Sequence, residues 1–451
     1  MKRKSTLGLF AVGFALFATF FGAGNLIFPP AIGLHSGAAW VPALFGMALS
    51  AILLPILTII AVNNMGSDLS DLAKPVSPWF FTAYLILFCF FCGTMGIPRQ
   101  GGIAVETGIF SVFPALAQSK ASLYICMLLY FILVYLIASN RGKVVDIVGK
   151  YLTPILLVIL LAVVVLAFIK PLGVPGEPDI ANSFMNAFLE GYQTGDVMVG
   201  IVIAGIFIAS IRESGNTTRA EVNRETLKAA LIAFVMLLVV YGGFLYAGAT
   251  VSAIYDHGMD QTALLNSLVY SLLGSVGSRI FGVGVFLACL TTTVGVITSM
   301  ASMVSKMLKD RVPYKVLLLI FAVVGFAIGC LGVAAIVRFS LPSFYLIYPI
   351  AIVLTLLGTF RKYVPNHGAW KGAILMAALV SIYEALEMWT VLAGGNPDFG
   401  LLTKLHNAIP FSNLGLAWLL PAVAGFIVGT LIVKTRGGEP YPMLSADTED
   451  Q

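Results

Sequence analysis

Phe20-Phe21-Gly22-Ala23-Gly24-Asn25-Leu26-Ile27-Phe28-Pro29-Pro30 lies inside the first long apolar run of the chain. Two glycines and an asparagine cluster at mid-run, and a Pro-Pro pair follows. Glycine costs a helix interior about 1 kcal/mol and proline about 3. One glycine alone would serve as a packing notch of the small-x-x-x-small kind. This density reads instead as an unwound turn between two half-helices. Unwound backbone at membrane depth is tolerated only where it lines a cavity or is buried in protein. Its carbonyls suit a cation, and the N-terminus of the second half-helix suits a carboxylate.

The rest of the chain supplies the membrane. Of 451 residues, 59% are hydrophobic and 10% charged, with mean hydropathy +0.97. A water-soluble domain needs roughly a quarter of its residues charged, so lipid is the main solvent. About 20 apolar residues span the hydrocarbon core as a helix. Barrel strands are excluded because the runs are too long and do not alternate. The fold class is all-α and polytopic. Spans are expected near 6–34, 38–63, 77–113, 121–139, 148–170, 182–210, 225–252, 278–306, 314–335, 341–360, 369–392 and 413–433, about twelve in all. The basic N-terminus has no cleavage-like site, so its run reads as a retained helix, not a signal peptide.

Lys and Arg set the orientation. With the N-terminus in the cytoplasm, 20 of the 26 basic residues fall on the inner side and 5 on the outer side, while Arg99 lies within a span. Both termini are then cytoplasmic. The net charge of +5 reflects topology and anionic lipid, not a nucleic-acid surface. Gly437 to Gln451 reads as a polar cytoplasmic tail. The 252–277 connection is expected to hold a short helix over the outer face around Thr262 to Leu268, as a gate or as a plain connector.

The sixth span repeats the anomaly of the first. Gly191-Tyr192-Gln193-Thr194-Gly195-Asp196 mixes glycines and polar groups with apolar neighbours. An ionisable residue such as Asp196 at membrane depth points to function. The alternative is that 182–193 is an external lead-in and Asp196 sits at the water boundary. Breaks in spans one and six fit two five-helix repeats, the second inverted. Such paired breaks mark a transporter's substrate site. The division is 1–170 for the first repeat, 171–360 for the second, 361–436 for two additional helices and 437–451 for the tail.

The eighth span carries Ala288-Cys289-Leu290-Thr291-Thr292-Thr293. Threonine can bond back to the preceding turn, but two hydroxyls beside a broken helix's carbonyls also suit sodium. Ser299, Ser302 and Ser305 continue a polar stripe that would line an inner path or let helices approach. Arg99 is expected to be paired, with Asp196 or Glu106 as partner. Glu384 and Glu387 read as a proton-carrying pair or, preferably, as structural or boundary groups. The five cysteines lie in apolar runs, and Cys89-x-x-Cys92 lacks a second ligand pair. The four histidines are scattered in loops, so no transition-metal site is expected.

Phe21-Gly22-Ala23-Gly24-Asn25-Leu26-Ile27-Phe28-Pro29-Pro30 and Ile97-Pro98-Arg99 resemble the bacterial branched-chain amino acid:cation symporters of the amino acid/polyamine/organocation superfamily. The resemblance covers essentially the whole chain. It implies the five-plus-five inverted-repeat, leucine-transporter-like fold with helices 1 and 6 broken. It implies that the amides of Ala23 and Gly24 hold a substrate carboxylate. It also implies a sodium site from the carbonyls of Ala18, Phe21 and Ala288 and the hydroxyls of Thr291 and Thr292, with Cys289 in place of the relatives' glycine. Asp196 has no clear counterpart there, and its role stays open between substrate ammonium and cation.

The expectation is sodium-coupled uptake of leucine, isoleucine and valine across the bacterial cytoplasmic membrane by alternating access. The substrate site would comprise Gly22, Ala23, Gly24, Asn25, Thr194, Gly195 and Asp196. The partners would be the amino acids, sodium and membrane lipid, with no cofactor, nucleic acid or obligatory protein partner. The chain carries no nucleophile-and-base pair or metal cluster near one membrane face, so an enzyme is not expected. Proton coupling is the alternative within transport. A non-transporting sensor or a channel is the alternative outside it.

Overall fold

Large apolar side chains face outward in this fold as well as inward, because lipid is as good a solvent for them as a core. Leu128, Leu129, Ile132 and Leu136 form an exposed stripe on one helix, and Leu375, Leu379, Ile382 and Leu386 on another. Buried polar residues, Asn25, Arg99, Gln193 and Asp196 among them, sit inside. That is the inverse of a soluble surface.

The computed structural model describes residues 12–14, 16–17, 20–139, 144–213 and 218–435. The extreme N-terminus, Ala18 and the expected 437–451 tail lie outside the described residues. No strand occurs among the described residues. The helices run in chain order as α1 Phe28–Ser36, α2 at 40–65, α3 Phe80–Val112, α4 Lys120–Ser139, α5 Val144–Ile169, α6 Ser183–Glu190, α7 Asp196–Glu213 and α8 Arg219–Thr250. There follow α9 Gln261–Met307, α10 Tyr314–Gly329, α11 Val333–Thr359, α12 His367–Leu392, α13 Leu401–Ala408 and α14 Leu419–Thr435. Among the described residues, seven helices are long and apolar enough to cross a membrane. The count becomes eight if the bent pair Ser183–Thr194 and Asp196–Ala209 is one span. Leu156–Ile169, Tyr314–Gly329 and Leu419–Thr435 are shorter apolar helices.

Local chemistry fixes where the helices start. Pro29-Pro30 occupies the first turn of α1, where a missing N–H costs nothing. Asn182 Oδ1 accepts from the Met185 amide at 3.0 Å to start α6. Thr218 and Glu221 form a reciprocal capping box at α8. Asp260 accepts from the Thr262 and Ala263 amides at 3.0 and 2.9 Å to start α9.

The expected short helix in the 252–277 connection is present as the first part of α9. It breaks at Gly274, whose φ of 68° is open to glycine and strained for other residues. The expected span 314–335 overruns. α10 ends at Gly329, a tight turn returns through Gly332, and α11 starts at Val333 rather than 341. Hydropathy misses this turn because Cys330, Leu331 and Val333 are as apolar as the helices they join. Arg338, expected in the outer connection, lies within α11.

Packing places the interrupted segments centrally. α1 lies on α8 so closely that a Cβ on Gly33 or Gly248 would strike the carbonyl oxygen of Leu245 or of Pro30. α6 packs on the start of α2, and α7 on its end. α5 packs on α9, and α12 on α14.

Candidate functional site

Both expected breaks are present. Residues 12–14, 16–17 and 20 are helical, Phe21 and Gly22 are not, Ala23–Asn25 forms a single 3-10 turn, and α1 then begins at Phe28. The Asn25 amide donates to the Gly22 carbonyl at 2.8 Å. In the second break, Gly191–Thr194 forms a 3-10 turn and Gly195 takes φ 74°. A left-handed residue of this kind costs a residue with a Cβ about 1–2 kcal/mol. It turns the chain so that the helices on either side meet at 49° and Asp196 opens α7.

The two breaks face each other. Asn25 Nδ2 donates to both carboxylate oxygens of Asp196, at 3.2 and 3.0 Å. Both side chains are buried. Asp196 is therefore enclosed between the broken helices rather than lying at a water boundary. Thr194 turns its hydroxyl back to the Gly191 carbonyl, 2.9 Å away. The Tyr241 hydroxyl donates to the Phe20 carbonyl at 3.4 Å, so α8 braces the last turn before the first break.

α3 closes the site on a third side. π-helical turns at Cys92–Gly96 and Ala104–Ile109 bracket Ile97–Ile103, and such turns re-aim side chains within a helix. Arg99 Nη1 donates to the Gln193 carbonyl at 2.6 Å, and its guanidinium lies 5.1 Å from the centre of the Phe28 ring. Among the described residues no ion pair within 4 Å joins Arg99 to Asp196 or Glu106. Glu106 instead accepts from the Thr262 hydroxyl at 2.8 Å and the Val333 amide at 2.9 Å. The direct partners of Arg99 are a carbonyl and an aromatic face, and Asp196 attracts it through space.

Gln100 was not among the expected site residues, yet its amide covers the first break. A Cβ on Gly24 would lie 2.6 Å from Gln100 Nε2. Gln100 Oε1, Arg99 Nε and Gln193 Oε1 are buried without hydrogen-bond partners. Unpaired buried polar atoms are uncommon, and these three all belong to residues beside the breaks. The sequence signal for Gln100 was a polar residue between Pro98 and Gly101 inside an apolar run. A cavity of about 550 Å3 is lined by Ile32, His35, Glu190, Gln193, Asp260 and Arg338. Its lining runs from His35 and Asp260 to Gln193 in the sixth-span break.

The expected sodium ligands Ala288, Thr291 and Thr292 lie on α9. α9 packs against the Ala23–Asn25 turn. Thr291 donates its hydroxyl to the Ala288 carbonyl at 3.0 Å, the backbone-satisfied form of threonine. Thr293 points away and pairs with the Tyr130 hydroxyl at 2.8 Å. Ala18 is outside the described residues. Further along the polar stripe, Ser305 bonds to Asp310 and the Val312 carbonyl at the helix end. Glu384 meets His406 at 3.4 Å, an ion-pairing contact to α13 that gives it a structural partner other than Glu387.

The histidines require a correction. They are not all scattered: His35 Nδ1 and His257 Nδ1 lie 2.8 and 2.6 Å from the same oxygen of Asp179. Backbone bonds fold the 170–182 connection onto the end of α1, from Ala38 to the Gly176 carbonyl at 2.7 Å and from Asp179 to the His35 carbonyl at 3.2 Å. Sequence spacing carries no trace of that fold. Burial raises the Asp179 carboxyl, but hydrogen bonds from His257 and His35 outweigh it and hold the group below its ordinary value. The Asp179 contact and the Ser252 carbonyl raise His257.

Interrupted membrane helices whose polar groups converge in the bundle interior define a secondary-transporter architecture. Solved structures agree at the level of fold. The chain is similar to Mhp1 in its inward-facing conformation, with TM-score 0.62 and 15% identity, covering 95% of this chain and 91% of that one. It is similar to MhsT in complex with L-phenylalanine, with TM-score 0.56 and 16% identity over 96% and 98% of the two chains. The fold is that of the leucine-transporter class. Among curated relatives, the branched-chain amino acid permeases BrnQ and BraB of Bacillus subtilis are 34% and 32% identical. BrnQ matches over 96% of this chain and 98% of its own, and BraB over 94% and 95%. The BrnQ permease of Haemophilus influenzae is 30% identical over 95% and 98%. A model described as branched-chain amino acid transport protein matches residues 5–436, and the chain belongs to that family. The family's members are transport permeases, not enzymes.

Proposed function

We propose that this protein is a sodium-coupled symporter that imports leucine, isoleucine and valine across the bacterial cytoplasmic membrane. The observation that carries the reading is the Asn25–Asp196 contact across two facing helix breaks. The substrate carboxylate docks on the amides of Ala23 and Gly24, at the positive end of the turn leading into α1. The substrate ammonium meets Asp196 or the carbonyls of the breaks. Sodium takes the carbonyls of Ala18, Phe21 and Ala288 and the hydroxyls of Thr291 and Thr292. One positive charge moving through 100 mV releases about 2.3 kcal/mol, enough to drive accumulation of an amino acid.

The architecture proposed is twelve spans with both termini cytoplasmic, repeats at 1–170 and 171–360, and two helices beyond them. Reciprocal packing supports the repeats. Exchanging first with sixth, second with seventh, third with eighth and fifth with tenth maps three contacts onto three others. α1 on α8 pairs with α7 on α2, α5 on α8 with α11 on α2, and α5 on α9 with α11 on α3. Alternating access then rocks one bundle against the other around the site.

Proton coupling is the second reading, and the burial of Asp196 favours it. Uptake of labelled leucine into proteoliposomes separates the two. With sodium outside, we expect saturable accumulation that collapses when choline replaces sodium at fixed pH. Full accumulation in choline, driven by a pH gradient, would replace sodium with the proton.

A further inference from the structure

We infer that His35, Asp179 and His257 form a regulatory site for a first-row divalent transition cation such as Zn2+ at the face where the 170–182 and 251–260 connections meet. The three residues each offer one ligand atom, and these atoms lie within 4.8 Å of one another. Two imidazoles and a carboxylate are zinc's ordinary donors, bound at about 2.0–2.2 Å with tetrahedral donors about 3.4 Å apart. The present contacts of 2.8 and 2.6 Å need to open by less than about 1 Å to admit the ion. All three side chains are about one-third exposed, at 37%, 37% and 32%, so a fourth position faces solvent.

The hydrogen bonding around His257 is the second observation. Its Nε2 lies 2.7 Å from the Ser252 carbonyl oxygen, which can only accept, so Nε2 carries the hydrogen. In the neutral ring Nδ1 then presents a lone pair, and it faces the Asp179 carboxylate at 2.6 Å. A cation must sit between these two electron-rich atoms: a second proton or a metal. A ligand imidazole whose other nitrogen donates to a backbone carbonyl is the usual supported metal ligand. Ser252 is itself fixed, since its hydroxyl accepts from the Gly176 amide at 2.8 Å.

The three ligands come from three separate segments. His35 stands on α1, the half-helix that follows the first break. Asp179 and His257 stand on the connections before α6 and after α8. A bound ion ties α1 to both, so it restrains the half-helix that follows the turn carrying the proposed carboxylate site. This regulatory consequence rests on the proposed transport function, whereas ion binding does not.

The test uses tag-free full-length protein in lipid nanodiscs, titrated with ZnCl2 by equilibrium dialysis. We expect one Zn2+ per chain. Loss of an outer-shell partner alone costs about 10- to 100-fold, so we expect His35→Gln and His257→Gln, which remove ligands, each to weaken it by at least about 100-fold, and His367→Gln to leave it unchanged. Zinc should also slow leucine uptake by the wild type and not by the double variant. Equal binding by wild type and double variant, or no stoichiometric binding, overturns the site and leaves the transport reading intact. Should the double variant fail to purify, Co2+ added to the wild type reads the site directly. Intense tetrahedral d–d bands are expected, and a spectrum of hydrated Co2+ overturns the proposal.

Discussion

At the residue scale, Asn25 and Asp196 hold each other across the two breaks. Asn25→Ala leaves a buried carboxylate without its donor, at a cost of about 1–3 kcal/mol. We expect lower thermal stability in detergent and lower leucine uptake at equal expression. Gly195→Ala must place a Cβ at φ 74°, which costs about 1–2 kcal/mol. Its uptake is expected to fall with the sharpened strain at the bend, while Gly200, on the regular helix beyond, provides no such φ. Thr292→Val removes a proposed sodium hydroxyl without changing shape. It is expected to raise the sodium concentration for half-maximal uptake by about tenfold, equivalent to 1.4 kcal/mol, and an unchanged sodium dependence removes Thr292 from the site. Asp196 and the glycines were legible in the sequence, because charge and helix-breaking residues in an apolar run are conspicuous. Gln100 was not. Its importance depends on which face of a 33-residue helix turns inward, and two π-helical turns reset that face.

At the element scale, the helices end where local chemistry ends them, and sequence reading succeeds to that extent. Pro29-Pro30 announces its helix directly, whereas the Thr218–Glu221 box starts α8 at Arg219, ahead of the expected span at 225. The turn between α10 and α11 hides because its residues are apolar, and the convergence of His35 with His257 hides because 222 positions separate them. Close backbone packing is also invisible in sequence. Gly248 reads as one more small residue in α8, but a Cβ there meets the Pro30 carbonyl. Gly248→Val is expected to force α1 off α8, with loss of monodisperse protein on size-exclusion chromatography. A folded and active variant would mean that the two helices are not so tightly joined.

At the scale of the whole molecule, composition alone gives a membrane bundle, and the two interruptions give it the proposed transport site. The proposed orientation follows from basic residues and is open to labelling. On a background lacking the five native cysteines, Val174→Cys and Tyr363→Cys place thiols at positions 80% and 76% exposed. An impermeant maleimide should label position 174 in intact cells and position 363 only after permeabilisation. The opposite pattern would invert the topology. Coupling is a linkage between two sites: if sodium promotes leucine binding, leucine must promote sodium binding by the same factor. The most direct measurement is the leucine Kd of the purified protein across a sodium titration at constant ionic strength and pH. Sodium coupling predicts a Kd that falls as sodium rises and then levels off. A leucine Kd that does not change from sodium-free choline buffer to saturating sodium would contradict it.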